Sequence, residues 1–455
     1  MQLTFCGGTK SVTGANYLLE AGGVKILVDC GLFQGTRFSE EQNYAAFAYD
    51  ATTIDYALIT HSHIDHIGRL PKLYRDGFRG TIFTTEPTKG IMEVALPDAM
   101  DKMLQEARDM GHEPLYSQED FHESMALVRG VHYNTPIALG EQVHVIFHDA
   151  SHILGSAIIE FIVNDDGQEK KLVFTGDLGN PPTPLLHPID YVSGADYGVI
   201  ESAYGNRLHE DREERLNKLE NAIEGTIKDG GVLMIPSFAV ERTQELLLEI
   251  DKLIKADRIP NIPVFVDSPL AIKITKVYSQ YSHYFNKAAM HVLEASGGLF
   301  QFPWLTFTPT VEKSKKINDT PSPKIIIAGS GMSQGGRILH HESRYLPDPK
   351  STILFIGYQV AGSLGRKIFE GAQEVSIFGQ SVPVRCRVKA IGSYSAHADQ
   401  NGLLEFVTHA KEGGRLKQVF VVQGEAESAE ALAVKVKENL GVDAVVPDAN
   451  YTVSL

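Results

Sequence analysis

The chain has 455 residues, 43% hydrophobic and 22% charged, which excludes a disordered or fibrous protein and suggests two or three domains. Its 42 Lys and Arg against 57 Asp and Glu leave a net charge of −15, which argues against a surface coated in positive charge for nonspecific nucleic-acid binding, though not against a local basic groove. The three cysteines, Cys6, Cys30 and Cys386, form no CxxC pair; this excludes a disulfide framework and a cysteine-type zinc site and fits a reduced, cytoplasmic setting. Met1 to Phe5 lack the build of a signal peptide and no apolar run reaches the length of a membrane span, so a soluble, intracellular protein with no membrane contact is expected.

In chain order, residues 16–20 and 25–28 read as strands on either side of Gly22-Gly23, a hairpin signal. Residues 56–60 read as a buried strand and 67–74 as a helix or turn. Residues 93–110 read as a helix of moderate periodicity. Residues 143–147, 157–163 and 171–174 read as strands, the last two joined by an Asp166-Gly167 hairpin turn. After about Gly205 the rhythm changes to alternating helix and strand. Helices are expected at 212–227, 241–255, 270–280, 338–345 and 364–369, and strands at 232–236, 264–266, 324–328 and 351–356. Such alternation implies a mainly parallel sheet covered on both faces. Residues 308–323 read as loop with a short helical piece at 311–316, and the chain ends with a strand at 419–422 and a helix at 429–440.

The chemistry is concentrated in His61-Ser62-His63-Ile64-Asp65-His66, three imidazoles and a carboxylate in six residues at the end of a strand. Nitrogen and oxygen donors on one loop can converge on a metal ion; the plain alternative is a solvated loop that happens to be rich in histidine. Asp29, His152 and Asp177 also sit at strand ends. Taken singly, each is an ordinary turn former or polar residue.

Together these residues resemble the metallo-β-lactamase fold, and further stretches resemble its β-CASP branch of RNA-processing nucleases. They are Glu201-Ser202-Ala203-Tyr204-Gly205, Pro236-Ser237-Phe238-Ala239 with Arg242, Asp267-Ser268-Pro269, Gly329-Ser330-Gly331-Met332 with Arg337, Gly357-Tyr358-Gln359 with Arg366, and Ser395-Ala396-His397-Ala398-Asp399. The resemblance implies an α/β protein: a metallo-β-lactamase αββα sandwich formed by residues 1–205 and 390–455, with a β-CASP α/β domain inserted at 206–389 and the active site in the cleft between them. His61, His63 and His152 would hold one Zn2+, Asp65 and His66 a second, and Asp177 would bridge both. Asp29 would orient a ligand from behind. His397 would protonate the leaving 3′-oxygen, with Glu201 as its carboxylate partner.

One position departs from the pattern. Where the family ends a strand near the C-terminus in His-Gly-Glu, this chain has Gln423-Gly424-Glu425, and an amide oxygen is a poorer zinc ligand than imidazole. Three outcomes are open for the second site: weakened affinity, occupation by another divalent metal such as Mn2+, or an empty position that leaves a slow, mononuclear centre. Arg242, Lys273, Ser330, Arg337, Gln359 and Arg366 are the expected substrate contacts, and the loop at 329–336 could aim backbone N–H groups at a phosphate. His340-His341 lies on a helix and reads as structural. The expected function is a zinc-dependent ribonuclease that hydrolyses phosphodiesters of single-stranded RNA with a metal-bridged hydroxide, leaving 5′-phosphate and 3′-hydroxyl ends. The alternatives are a noncatalytic RNA-binding scaffold, motivated by Gln423, and a small-molecule hydrolase; a homodimer is an open expectation.

Overall fold

The computed structural model of the protein describes residues 1–35, 41–165, 167–210, 214–296, 298–357, 359–360 and 362–455. Asp166 of the expected hairpin turn, the start of the helix expected at 212 and Tyr358 lie outside them. The described chain divides into two compact units, Met1–Leu208 with His397–Leu455, and His209–Ala396.

The first unit holds two seven-stranded sheets. One runs in the order Tyr451–Ser454, Gln2–Gly7, Asn16–Ala21, Val24–Val28, Tyr56–Leu58, Thr81–Thr85, Val128–Val131. The other runs Asp443–Val445, Gln418–Val422, Tyr197–Glu201, Gln168–Phe174, Ala157–Asp165, Val143–Asp149, Ile137–Ala138. Alternation decides which face each strand buries. Leu3, Phe5, Leu19, Ile26 and Val28 from one sheet meet Val145, Phe147, Phe161, Phe174, Val199 and Phe420 from the other in a single cluster, so the sheets pack face to face. The alternate residues along each strand point outward. Ile158, Val173, Ile200 and Val421 pack under helices Gln400–Lys411 and Ala426–Leu440, while Leu27, Ala57 and Ile82 pack under Leu70–Arg75 and Glu86–Met110. The result is four layers, helix–sheet–sheet–helix.

The long helix begins at Glu86, seven residues before periodicity alone places it. Thr85 caps it by accepting the Thr88 N–H, and Pro87 occupies the first turn, where its missing N–H costs nothing. Strands Gln2–Gly7 and Tyr451–Ser454 were not legible, because each is short and half polar; they pair with each other at the sheet's edge.

The second unit is built on a six-stranded sheet in the order Leu305–Phe307, Val264–Val266, Lys324–Ala328, Val232–Pro236, Thr352–Phe355, Arg387–Ala390. Every neighbouring pair is parallel. The central strands are buried throughout, as Val-Leu-Met-Ile and Ile-Ile-Ile runs covered on both faces must be. A polar hairpin, Glu374–Ile377 with Gln380–Pro383, is appended. Beyond strand Val264–Val266, the buried Asp267 carboxylate gathers four donors: Thr308 Oγ1 (2.7 Å), Ser314 Oγ (2.7 Å), Arg337 Nη1 (2.7 Å) and His341 Nε2 (2.8 Å). Among the described residues, no helix is long and apolar enough to cross a membrane.

Candidate metal centre

The site sits where strands of the two facing sheets end. His61 follows strand Tyr56–Leu58, His152 follows Val143–Asp149, Asp177 follows Gln168–Phe174, and Asp29 follows Val24–Val28. Asp29 and Ser151 have φ of 59° and Gln423 has φ of 49°, left-handed values that turn the chain sharply out of the sheet and are held by the surrounding structure. Gly31 lets two of these turns touch: a Cβ there would lie 1.4 Å from the carbonyl oxygen of Asp65.

Four donor atoms converge. His63 Nδ1 lies 3.0 Å from His61 Nε2 and 3.2 Å from His152 Nε2. Asp177 Oδ2 is 3.4 Å from His61 Nε2 and 3.5 Å from His152 Nε2. Ligands at zinc distances in a tetrahedron stand about 3.3 Å apart, so this set fits one ion. Burial, reinforced by the neighbouring imidazoles, holds His63 and His152 well below the usual histidine range; His61 is lowered for the same reasons. All three are therefore neutral, the form that binds metal.

A second cluster adjoins it. His66 Nε2 lies 3.4 Å from Asp177 Oδ1, 3.8 Å from Asp65 Oδ2 and 3.0 Å from Gln423 Nε2. Asp177 thus offers one oxygen to each cluster. Behind His66, Asp29 Oδ2 takes its Nδ1 at 2.8 Å, while Thr60 donates its N–H to Asp29 Oδ1 and its hydroxyl to Asp29 Oδ2, each at 2.8 Å. This fixes which His66 nitrogen faces the cluster. Although burial opposes it, the carboxylates Asp177, Asp29 and Asp65 push His66 well above the ordinary value. The Gln423 oxygen is buried without a hydrogen-bond partner. Turning the amide over, which exchanges two atoms nearly alike in shape, points that oxygen at the cluster and leaves the N–H2 on the side of the buried Tyr17 hydroxyl, itself unpartnered. Gly8 leaves room for this pair, since both Gln423 Oε1 and Tyr17 Oη lie within 2.6 Å of where its Cβ would stand. The donor set of two carboxylates, one imidazole and one amide oxygen suits a divalent ion harder than the first.

Beside Asp177, His397 Nδ1 lies 3.1 Å from Glu201 Oε1 and 3.9 Å from Asp177 Oδ2. Glu201 is saturated by protein donors, taking Leu178 N–H on Oε1 (2.7 Å) and Ala203 N–H on Oε2 (3.2 Å), so it is placed to orient His397 rather than to hold a metal. Burial would lower the His397 value, but Glu201 and then Asp177 outweigh it and raise it to about 9. Backbone pairing of Gly179 with His397 and the Ala398 N–H on Leu178 O fix the loop.

These residues, with Asp29, come together in one unit. Thr60 and Tyr17 escaped sequence reasoning; Thr60 directly precedes the His run, while Tyr17 carries no local signal. The proposed substrate contacts are placed differently. Arg242 is buried on Glu245, and Arg337 is spent on Asp267 and on the Thr308 and Pro309 carbonyls, so both guanidinium groups hold internal partners. Arg366 pairs with Glu370 at 2.6 Å, and Gln359 donates to the Gly331 and Gly357 carbonyls. Ser330, Ser333 and Gln334 N–H groups are bonded within the loop at 329–336, which leaves fewer donors for a phosphate than the glycine content suggests.

Three family models match in order along the chain: the metallo-beta-lactamase superfamily over 12–82, the Beta-Casp domain over 243–368, and the Zn-dependent metallo-hydrolase RNA specificity domain over 381–447. The chain is 37% identical over 438 residues to Ribonuclease TTHA0252 of Thermus thermophilus, covering 95% of each. It belongs to the β-CASP branch of the metallo-β-lactamase family. A second relative, the RNase J-like protein of Methanocaldococcus jannaschii, is 30% identical, covering 98% of this chain and 97% of the relative. Transcription termination factor FttA of Methanosarcina mazei is 28% identical, covering 97% of this chain and 70% of that protein. A solved structure, a protein of unknown function from Enterococcus faecalis V583, superposes with a TM-score of 0.57 at 12% identity, covering 100% of this chain and 99% of that one, and this β-CASP protein shares its fold.

Proposed function

We propose that the protein is a metal-dependent ribonuclease that hydrolyses single-stranded RNA to products with 5′-phosphate and 3′-hydroxyl ends. The observation that carries the reading is the convergence of His61, His63, His152 and Asp177 donor atoms within 4.8 Å, with His397 and Glu201 beside the same aspartate. His61, His63, His152 and Asp177 would hold one zinc; Asp65, His66, Asp177 and the Gln423 amide oxygen would hold a second divalent ion, zinc or manganese. When bound, such ions supply Lewis acidity and an activated water at the scissile phosphate. His397 keeps one ring nitrogen on Glu201 and presents Nε2 as the donor of a proton to the leaving 3′-oxygen; a group with a value near 9 is protonated at neutral pH. Asp29 and Thr60 hold His66 in orientation.

The relative named a ribonuclease and the RNA specificity model at 381–447 support RNA as substrate. The noncatalytic scaffold reading is not favoured, because Gln423 alone departs from an otherwise full ligand set. We take residues 206–389 as the inserted domain, and the free thiols of Cys6, Cys30 and Cys386 support a cytoplasmic setting. The test is end analysis of a labelled single-stranded RNA oligomer incubated with metal-loaded protein, with DNA and small esters alongside. RNA cleavage that disappears in His63→Ala is expected; intact RNA with wild-type protein overturns the reading.

A further inference from the structure

Phe238 is an exposed aromatic side chain with no place in the chemistry above: 38% of it is accessible to solvent. Its position in the second unit is not arbitrary. The connection that leaves strand Val232–Pro236 crosses the sheet to Val264–Val266, while the one that leaves the adjacent strand Lys324–Ala328 crosses the opposite way to Thr352–Phe355. Right-handed crossovers then put the two following helices on opposite faces of the sheet. Their loops leave the carboxyl ends of these two neighbouring strands toward opposite faces, the position at which open parallel sheets bind ligands. Phe238 lies on the first of these loops and packs on the second, the glycine loop at 329–336.

The loop that carries the ring is fixed. The Phe238 carbonyl accepts the Thr243 hydroxyl at 2.7 Å, and Ser237 N–H bonds Ala328 O at 3.0 Å. One side of the ring is backed by backbone: a Cβ on Gly331 would fall 2.7 Å from ring carbon Cδ2, and one on Gly357 would fall 3.6 Å from Cε2. Gln359, buried to 5% exposure, bonds both the Gly331 and Gly357 carbonyls at 3.0 and 3.1 Å and so clamps the two glycine loops together beneath the ring. Its amide oxygen has no hydrogen-bond partner. An apolar ring packed on backbone from below, 38% exposed and placed at the carboxyl end of a parallel sheet, is a platform for a flat ligand.

We propose that Phe238 is a stacking platform for one unpaired nucleobase of the RNA, a substrate-positioning contact that tolerates any base because every base offers a π-face. This rests on the ribonuclease reading and specifies where the strand is gripped. The test is an abasic scan: a single-stranded RNA oligomer with one abasic nucleotide moved along its length, cleaved by the full-length, metal-loaded protein. With wild type, one position should raise KM by about 5- to 100-fold, the usual range for losing a stacked base. Phe238→Leu should raise KM for the intact oligomer by a similar factor and flatten the scan at that position; Phe238→Trp should retain the step. A flat scan for wild type, or a step that persists unchanged in Phe238→Leu, overturns the stacking assignment while leaving the ribonuclease intact. Absence of any RNA cleavage by wild type overturns both. Matching thermal melts of the variants confirm that a changed KM is not a folding defect.

Discussion

Glu201→Gln isolates the proton donor. The substitution keeps an oxygen for the Leu178 N–H and for His397 Nδ1, and removes the charge that most raises His397. Burial and Asp177 act on His397 in opposite directions, so without Glu201 its value should fall from about 9 toward the ordinary 6.5. At pH 8 the protonated fraction then drops from roughly 90% to roughly 3%, about a 30-fold loss of the active form. At pH 6 both forms are mostly protonated, and the loss should shrink to about twofold or less. The assay is the pH profile of RNA hydrolysis for wild type and variant at saturating metal. The basic limb should move down by about two pH units. A loss of equal size at every pH, or an unmoved basic limb, would show that Glu201 does not set the protonation of His397.

Other outcomes follow from particular contacts. Asp267→Asn turns an amide N–H2 toward two of four donors, and unfolding by urea should show a loss of about 3–5 kcal/mol, as for removal of one partner from a buried charged cluster. Because the Asp267 donors hold its carboxyl at about 2, below the usual 3.8 and against the opposing effect of burial, the stabilisation it provides is complete above about pH 4 and is lost as pH falls toward 2; wild type and variant should converge in that window. Gln423→His should raise metal content toward two per chain, read by elemental analysis after dialysis; an unchanged ratio would place Gln423 outside the second site. Gly31→Ala should lower both metal content and melting temperature, because the new methyl meets the Asp65 carbonyl and displaces the Asp65–His66 turn.

Much of the site was legible because its ligands cluster in sequence. His61, His63, Asp65 and His66 occupy six positions; Asp29 closes an apolar run that reads as a strand, Asp177 follows one and His152 precedes one. The alternation of strand and helix after residue 205 likewise gave the parallel sheet, since buried runs such as Lys324–Ala328 leave little choice. What escaped was information held by partners. Strand Arg387–Ala390 is half polar and exists through pairing with Thr352–Phe355. Arg242 and Arg337 look like free cations in one dimension, and only the fold shows Glu245 and Asp267 already facing them. Thr60 acts from behind the ligands through Asp29, at a position where an ordinary strand residue would read the same.

The interleaving of the chain also sets a schedule for its synthesis. His61 to Asp177 and Glu201 emerge first, but His397 lies 196 residues after Glu201, and Gln423 follows later on a strand that must slide in beside Tyr197–Glu201. At about 5–20 residues per second, a ribosome needs roughly 10–40 s to cover that gap. Throughout it the nascent chain carries most of its metal donors but lacks its proton donor and the strand that pairs with Tyr197–Glu201. The full set of site residues can therefore be assembled only after strand Gln418–Val422 has been made and has paired with Tyr197–Glu201.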